Sequence, residues 1–212
     1  MYSEQPMQTT VASTIAFDGV GLHSGRFVRV TIHPAPANTG ISFRRVDITE
    51  SRQTIAATPD NVQQARLCTR IVNDDGVRLE TVEHIMAAFA GLGVDNAIVD
   101  IDGGEAPILD GSSLPVVEAI NRTGIIQLAA RRRVLVVTSP VSIEHAGGWA
   151  KIEPCNGLEI DAEIDFYDPA IGRQRFHYRH GNGSFVRDLA AARTFCMMRD
   201  VAAMQNAGLA LG

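Results

Sequence analysis

The sequence predicts an α+β fold, in which helices are layered on antiparallel or mixed β-sheets. Runs that alternate apolar and polar residues at period two are interrupted, in irregular order, by segments with helical periodicity. Hairpin-type turns connect many of these segments, which is typical of α+β layers rather than of regular strand–helix alternation. The 212 residues are 45% hydrophobic and 20% charged, the composition of an ordinary globular protein. We expect two similar domains, residues 1–127 and residues 128–212, with the second one incomplete.

The first half contains most of the strand-like runs. The predicted strands are residues 10–17, 27–33, 41–46, 67–72 and 94–101. Pro34 and Pro36 end the second of them, because proline cannot donate to a sheet ladder. Residues 73–76 (NDDG) predict a tight hairpin turn, in which Gly76 supplies the positive φ that such turns need.

Two helices are predicted in the first half. Residues 81–90 carry apolar side chains at positions i, i+3, i+4 and i+7, namely Val82, Ile85, Met86 and Phe89. Thr81 is expected to cap the first turn of this helix through its hydroxyl, and Gly91 to end the helix. Residues 114–122 predict the second helix, with Pro115 in its first turn.

The second half is expected to begin near Leu128, after which residues 129–133 form a short polar joint. Its predicted strands are residues 134–137, 141–144, 149–153, 158–166 and 174–178. Residues 184–194, capped by Ser184, and residues 197–207 predict two further helices.

Composition excludes several classes of protein. The net charge of −5 gives no basic excess to neutralise a phosphate backbone, so we expect no nucleic-acid partner. No run approaches the roughly 18 apolar residues of a membrane span, and no secretory signal is visible. The three cysteines, Cys68, Cys155 and Cys196, are odd in number and far apart, which favours reduced thiols in the cytoplasm.

Glu83 and His84 are the sharpest candidates for chemistry. At about 100° per residue, both side chains point away from the apolar face of the predicted helix. A histidine that holds zinc and an unligated glutamate that takes a proton from the metal-bound water would suit metal-assisted hydrolysis. The alternative is a solvated acidic residue near a helix N-terminus beside a surface histidine. Position 88 is Ala88, so this helix offers one metal ligand at most.

The remaining polar features are interpreted as structural. The other histidines have no ligand-like spacing, and each is expected to lie at the surface: His23, His33, His145, His177 and His180. The glycine-rich residues 19–25 lie between two strands and do not open a helix, unlike a dinucleotide-binding loop. Residues 102–113, with Glu105 and Asp110, are interpreted as a structured turn.

Eight segments of the chain, in order, resemble one family. They are GVGLHSG (residues 19–25), PAPANTGISFRR (34–45), LCTRIVNDDGV (67–77), TVEH (81–84), AGLGVDN (90–96), PILDGS (107–112), EIDFYD (163–168), and ARTFCMMRD (192–200) with LALG (209–212). The chain resembles the UDP-3-O-acyl-N-acetylglucosamine deacetylases, zinc amidases of lipid A biosynthesis. The resemblance implies two α+β domains with the active site between them, and a cytoplasmic enzyme.

The resemblance also assigns roles to residues. It implies that His84 is a zinc ligand and that Glu83 is the general base. Thr194 would stabilise the oxyanion through its hydroxyl, and Phe195 and Cys68 would bind the substrate. The expected reaction is hydrolysis of the N-acetyl group of UDP-3-O-acyl-N-acetylglucosamine, which releases acetate.

The chain departs from the family pattern in two places. Gly148 stands where the family has a lysine, just before Trp149 and Ala150. The other two zinc ligands of the family lie in a His-Lys-x-x-Asp helix downstream of LALG, whereas this sequence ends at Gly212. We therefore expect a C-terminally truncated deacetylase with an incomplete zinc site, nearly inactive on its own.

Two alternatives stay open at this point. In the first, the chain is a short, non-catalytic paralogue that binds a sugar nucleotide or a protein. In the second, another chain supplies the missing zinc ligands.

Overall fold

The computed structural model describes residues 6–49 and 52–212. In the first part of the chain, the elements are β1 (Met7–Val11), β2 (Ile15–Val20), β3 (Phe27–Pro34), β4 (Ile41–Arg45), β5 (Thr54–Ala56), a 3₁₀ turn (Pro59–Asn61), β6 (Val62–Gln63), β7 (Arg70–Val72), β8 (Arg78–Leu79), α1 (Glu83–Leu92), β9 (Ala97–Ile101), α2 (Leu114–Thr123) and β10 (Ile125–Arg131). The second part contains β11 (Val141–His145), β12 (Gly148–Ile152), β13 (Glu159–Asp165), β14 (Arg173–Arg179), a π-helix (Phe185–Leu189) and α3 (Met198–Asn206). The predicted α+β class is confirmed.

A five-stranded sheet in the order β2-β3-β9-β4-β5 organises the first part. Its strands pair antiparallel, except for β4 and β9, which run parallel. The register places one apolar residue of each strand in a single row across the sheet, and each is at most 5% exposed: Ile15, Ile32, Val99, Phe43 and Ile55. This row is one face of the hydrophobic core.

Both long helices of the first part bury an apolar face in the same core. Ile85 and Phe89 of α1 and Val117 and Ile120 of α2 are at most 2% exposed and belong to one cluster with the row across the sheet. Burial of each such side chain contributes about 1.5–3 kcal/mol relative to exposure. Packing therefore fixes the rotation of α1 and, with it, the face that carries Glu83 and His84.

Two smaller sheets complete the first part. β1 pairs with β10 as far as Arg131, so residues 129–131 are strand and not part of a polar joint. The domain boundary near Leu128 stays a prediction. β6, β7 and β8 form a three-stranded sheet, and the predicted turn at residues 73–76 connects β7 to β8 with Gly76 at φ 78°.

Two hairpins, β11–β12 and β13–β14, dominate the second part. The predicted pairing of residues 158–166 with residues 174–178 is confirmed as β13–β14. Among the strand residues of both hairpins, only Tyr178 is buried. Both hairpins leave large apolar side chains in solvent, including Val141, Ile143, Trp149, Ile152, Ile160 and Phe176.

Several predicted elements of the second part are wrong. Residues 134–137 form no strand, because Leu135 is fully exposed and an apolar run without a partner strand has no ladder to join. The helix predicted for residues 184–194 is a π-helix over Phe185–Leu189, and the Ser184 hydroxyl contacts the Tyr178 hydroxyl instead of capping it. The predicted C-terminal helix is confirmed as α3. No helix in the described part of the chain is long and apolar enough to span a bilayer.

Candidate active site

The helix that carries the candidate residues begins at Glu83, after a turn in which Thr81 has φ 59°. The predicted capping role of Thr81 is wrong: Val82 is the N-cap residue, without a side-chain cap. The Thr81 hydroxyl donates to Glu105 Oε1 instead, at 3.2 Å. A β-branched residue at positive φ is strained by about 1–3 kcal/mol, so the surroundings of Thr81 must hold it.

The C-terminal end of α1 also differs from the prediction. The helix runs one residue past Gly91, and Gly93 at φ 73° ends it. Gly91 has a different role, since a Cβ there would collide with the Phe185 ring of the π-helix. This glycine lets the second part of the chain pack closely on α1.

The Glu83 carboxylate is held at the start of α1. Its Oε2 accepts a hydrogen bond from the Thr69 backbone N–H at 3.0 Å. Glu83 and His84 are both partly exposed, whereas Ile85 is buried, so the predicted orientation away from the core is confirmed. A carboxylate with one fixed oxygen and access to solvent is suited to accept a proton from water.

Cys68 directly precedes Thr69, whose amide holds Glu83, and it is partly buried. Burial raises the pKa of its thiol, and the negative charges of Glu80 and Glu83 raise it further. Hydrogen bonding with Thr81 lowers the pKa, but this effect is outweighed. A thiol with a raised pKa is mostly protonated at neutral pH, so Cys68 is a poor nucleophile.

A cavity of about 530 Å³ has walls from both parts of the chain, and Leu67 is one of its lining residues. It is lined by Leu22, His23, Arg66, Leu67, Phe166, Thr194, Phe195, Cys196, Met197, Asp200, Ala203, Met204 and Ala210. The Phe166 and Phe195 rings lie 5.4 Å apart between centroids, within the range of an aromatic pair. Most of the lining side chains are apolar, so the cavity suits a hydrophobic group.

The backbone of residues 67–69 connects the Glu83 carboxylate to this cavity. Leu67 lines the cavity, and two residues later Thr69 donates to Glu83. Thr194 is exposed, and its backbone N–H donates to the Gly111 carbonyl at 2.9 Å, which fixes it on the first part of the chain. Thr194 and Phe195 thus line one cavity, Cys68 follows Leu67 of the cavity wall, and Glu83 is bonded to Thr69, two residues beyond Leu67.

Residues 6–49 and 52–212 do not by themselves fit a complete zinc site. Catalytic zinc normally has three protein ligands. In these ranges, no group of three or more His, Cys, Asp or Glu side chains lies close enough together to hold a metal ion. Two histidines away from α1 are paired with carboxylates: His33 pairs with Asp100 at 3.0 Å, and His177 pairs with Asp161 at 3.1 Å.

His23 and Glu105 are the site residues that the sequence analysis missed. His23 is 4% exposed and not a surface residue, and its Nε2 lies 3.4 Å from the Leu67 carbonyl. Glu105 is 3% exposed, and it accepts the backbone N–H groups of His23 and Ser24, each at 2.8 Å. The signal in the sequence was the position of Glu105 between β9 and the apolar run at residues 106–109. A charge among buried segments indicates specific partners, because charges are seldom buried without them.

Gly148, at which the family resemblance implies a lysine, lies at the first position of β12, opposite His145. The neighbouring Trp149 is 74% exposed. Neither residue lines the cavity beside Thr194.

Comparison with known proteins identifies the family. The profile of the UDP-3-O-acyl N-acetylglycosamine deacetylases matches residues 8–212. The UDP-3-O-acyl-N-acetylglucosamine deacetylase of Aliivibrio fischeri is 43% identical over 207 residues, which are 97% of this chain and 68% of the relative. The proteins of the same name from Shewanella loihica and Vibrio cholerae are each 44% identical over 207 residues, and this chain covers 67% and 68% of them. The chain belongs to the UDP-3-O-acyl N-acetylglycosamine deacetylase family.

Proposed function

We propose that this chain carries the site for hydrolysis of the N-acetyl group of UDP-3-O-acyl-N-acetylglucosamine, a step of lipid A biosynthesis in the cytoplasm. The observation that supports this most is the Glu83 carboxylate, held by the N–H of Thr69, two residues from the Leu67 wall of an apolar cavity. Family membership over residues 8–212 adds the reaction class.

In this proposal, Glu83 is the general base. Oε2 is fixed by the Thr69 N–H, which leaves Oε1 to accept the proton of a water molecule as its oxygen attacks the acetamide carbonyl. A positioned base of this kind contributes about 10²–10⁴-fold to a rate.

Thr194 stabilises the negative oxygen that forms on the acetamide carbon. Its hydroxyl is a neutral donor on an exposed residue whose backbone is held by the Gly111 carbonyl. Loss of one oxyanion donor typically costs about 10²–10³-fold in turnover. This role is distinct from binding, since the donor acts on charge that develops only during the reaction.

Phe195 and Cys68 contribute to substrate binding. Phe195 forms an aromatic pair with Phe166 at the wall of the cavity, and the cavity is apolar enough to take the 3-O-acyl chain. Cys68 places a protonated, uncharged thiol beside Glu83. The acyl chain, rather than the nucleotide, is therefore the part of the substrate that this surface recognises.

Zinc binding is limited by the number of metal ligands that the chain supplies. His84 is the residue that the family resemblance assigns to the metal, and a single imidazole does not make a catalytic zinc site. We assign no step to the metal, and we propose that the 212-residue chain alone binds zinc weakly and turns over slowly. Plasma emission analysis after dialysis should find well below one zinc per chain, whereas near-stoichiometric, tightly held zinc would contradict this proposal.

Calorimetric titration tests the substrate assignment. The chain should bind UDP-3-O-acyl-N-acetylglucosamine at least about tenfold more tightly than UDP-N-acetylglucosamine, because only the first buries an apolar chain. Phe195→Ala should remove most of this difference. Tyr167→Ala is the matched control, since Tyr167 is 97% exposed beside Phe166 and lies outside the cavity lining.

Equal affinity for the two nucleotides would refute the proposed acyl-binding surface. Binding of the acylated nucleotide without any acetate release that depends on Glu83 would support the alternative function, a non-catalytic protein that binds a sugar nucleotide.

A further inference from the structure

Glu105 is a buried carboxylate to which the proposed reaction assigns no role. It is 3% exposed and lies in the loop after β9, in sequence 24 residues or more from every group with which its side chain forms a hydrogen bond. Its Oε1 accepts the His23 N–H and the Thr81 hydroxyl, and its Oε2 accepts the Ser24 N–H. One carboxylate therefore joins two separate segments.

The first of these segments contains His23, which lines the cavity. The backbone of this loop turns back on itself, with the Gly25 N–H donating to the Gly21 carbonyl at 3.0 Å. The carboxylate fits closely against the loop, because a Cβ on Gly21 would lie 2.5 Å from Glu105 Oε2. Glu105 thus holds this loop, which forms part of the cavity wall, in place.

The second segment leads directly into α1. Thr81 has φ 59°, a conformation that a β-branched residue adopts only when its surroundings enforce it. The loop that contains Glu105 also holds Glu80, the residue before Thr81. The Glu80 N–H donates to the Gly104 carbonyl, and the Ala106 N–H donates to the Glu80 carbonyl. The Thr81 hydroxyl bond to Glu105 then sets the direction in which the chain enters the helix.

The start of α1 depends on this turn. Val82 follows Thr81, and its N–H donates to the Thr69 carbonyl at 3.5 Å, while Glu83 accepts the Thr69 N–H at 3.0 Å. A change in the Thr81 backbone would shift Val82 and Glu83 relative to Thr69. The carboxylate of Glu83 would then lose its fixed oxygen.

We propose that Glu105 is a positioning residue, which locks the cavity loop at residues 21–25 to the strained turn at Thr81 and thereby sets the Glu83 carboxylate relative to the cavity. The role in catalysis rests on the function proposed above, whereas the lock itself is a property of the folded chain. Glu105 acts through Thr81 and His23 and touches no reacting atom.

Amide hydrogen exchange, followed by NMR, tests the lock without any substrate. Glu105→Ala removes both accepting oxygens, and with them the contacts to His23, Ser24 and Thr81. Exchange of the Thr69 and Ser24 amides should speed up by roughly three- to tenfold, the loss of one net hydrogen bond. Amides of β3 and β9 should keep their wild-type rates. Glu118→Ala is the matched control, since Glu118 is an exposed carboxylate on α2.

A double variant separates positioning from general support of the fold. Glycine adopts positive φ without strain, so Thr81→Gly removes the need for the Glu105 bond at this turn. In the Thr81→Gly background, Glu105→Ala should leave Thr69 exchange unchanged within twofold and should still speed up Ser24 exchange. A Thr69 response of the same size in both backgrounds would overturn the proposal, as would a uniform acceleration of all amides.

Gly21→Ala attacks the same lock from the other side. Its Cβ would displace the Glu105 carboxylate, so the Thr69 amide should respond although neither Thr81 nor Glu105 is changed. Gly104→Ala is the control, because a Cβ there meets only Arg45 at 3.5 Å. An unchanged Thr69 amide in Gly21→Ala would contradict the proposal. These exchange rates are independent of acetate release, so failure of the proposed reaction would leave them as they are.

Discussion

Cys68 illustrates how the surroundings of a single residue set its chemistry. It follows Leu67 of the cavity wall and precedes Thr69, the donor to Glu83. Burial, together with the charges of Glu80 and Glu83, raises the pKa of its thiol. The same carboxylate that is proposed to accept a proton therefore keeps its sulfur neighbour protonated.

At pH 8, Cys68 should react with iodoacetamide more slowly than Cys155 and Cys196, because the thiolate is the reactive form. Both other thiols are exposed. We expect the alkylation rates to differ by about tenfold, as measured by mass spectrometry of the tryptic peptides. Glu83→Gln should reduce this difference in rate, because it removes one negative charge near Cys68. Alkylation of Cys68 at the rate of the two exposed thiols would contradict the raised pKa.

At the level of residues, local pattern predicted the face of α1 but not its anchors. Glu83 and His84 point away from the core, as helical spacing requires. Thr81 looked like a cap because its partner, Glu105, is 24 residues away, and sequence spacing carries no information about such a contact. The burial of His23 escaped prediction for the same reason.

The contact between α1 and the π-helix depends on one glycine. Gly91→Ala should lower the free energy of unfolding by about 1–3 kcal/mol, the usual cost of overpacking, because the new Cβ meets the Phe185 ring. Urea titration measures this loss, and Gly148→Ala serves as the control, since its Cβ would meet only the His145 carbonyl at 3.5 Å. Equal stability of the two variants would show that the π-helix does not pack on α1.

An ion cluster joins three strands of the central sheet. Arg44 on β4 donates twice to Asp100 on β9, at 2.6 and 2.7 Å, and His33 on β3 lies 3.0 Å from the same carboxylate. Burial raises the pKa of Asp100, but hydrogen bonding and charge from Arg44, with help from His33, outweigh it and hold the pKa below its usual value.

Asp100→Asn should therefore destabilise the protein at neutral pH. A lowered pKa stabilises the folded state above the unfolded pKa of about 3.9, and this contribution disappears as the pH falls through the folded pKa. The expected loss is about 1 kcal/mol at pH 7, a modest value because Arg44 is 43% exposed to screening solvent.

Thermal unfolding of wild type and Asp100→Asn between pH 7 and pH 3 measures this contribution. The gap between the two curves should shrink below about pH 4. The exposed Asp18→Asn on the neighbouring β2 is the control. A gap that grows toward acid pH would contradict the sign of the shift.

Strand and helix prediction succeeded where periodicity matched a real partner. Alternation identified β3 and β13, and each of these strands has a neighbouring strand with which it pairs. Residues 134–137 are as apolar as any core strand, but no described strand pairs with them. Periodicity reports what a segment is able to form, and tertiary pairing decides whether it does.

Across the whole molecule, the two parts of the chain differ in burial. The central sheet of the first part has a row of residues at most 5% exposed, whereas β11 and β12 are exposed throughout. An isolated two-stranded hairpin is only marginally stable in water. Amides of β3 and β9 should exchange at least about 100-fold more slowly than those of β11 and β12, and similar protection would show that the parts unfold as one unit.

Acetate release is the most direct test of the proposed function. Chain prepared with added zinc, with and without Glu83→Gln, is incubated with UDP-3-O-acyl-N-acetylglucosamine labelled in the acetyl group, so that even slow turnover is counted. The account predicts slow release by the wild-type chain and release about 100-fold slower still for Glu83→Gln, with unchanged substrate affinity. Equal rates for the two proteins would contradict the proposal that the Glu83 carboxylate, held by Thr69, is the base of this reaction.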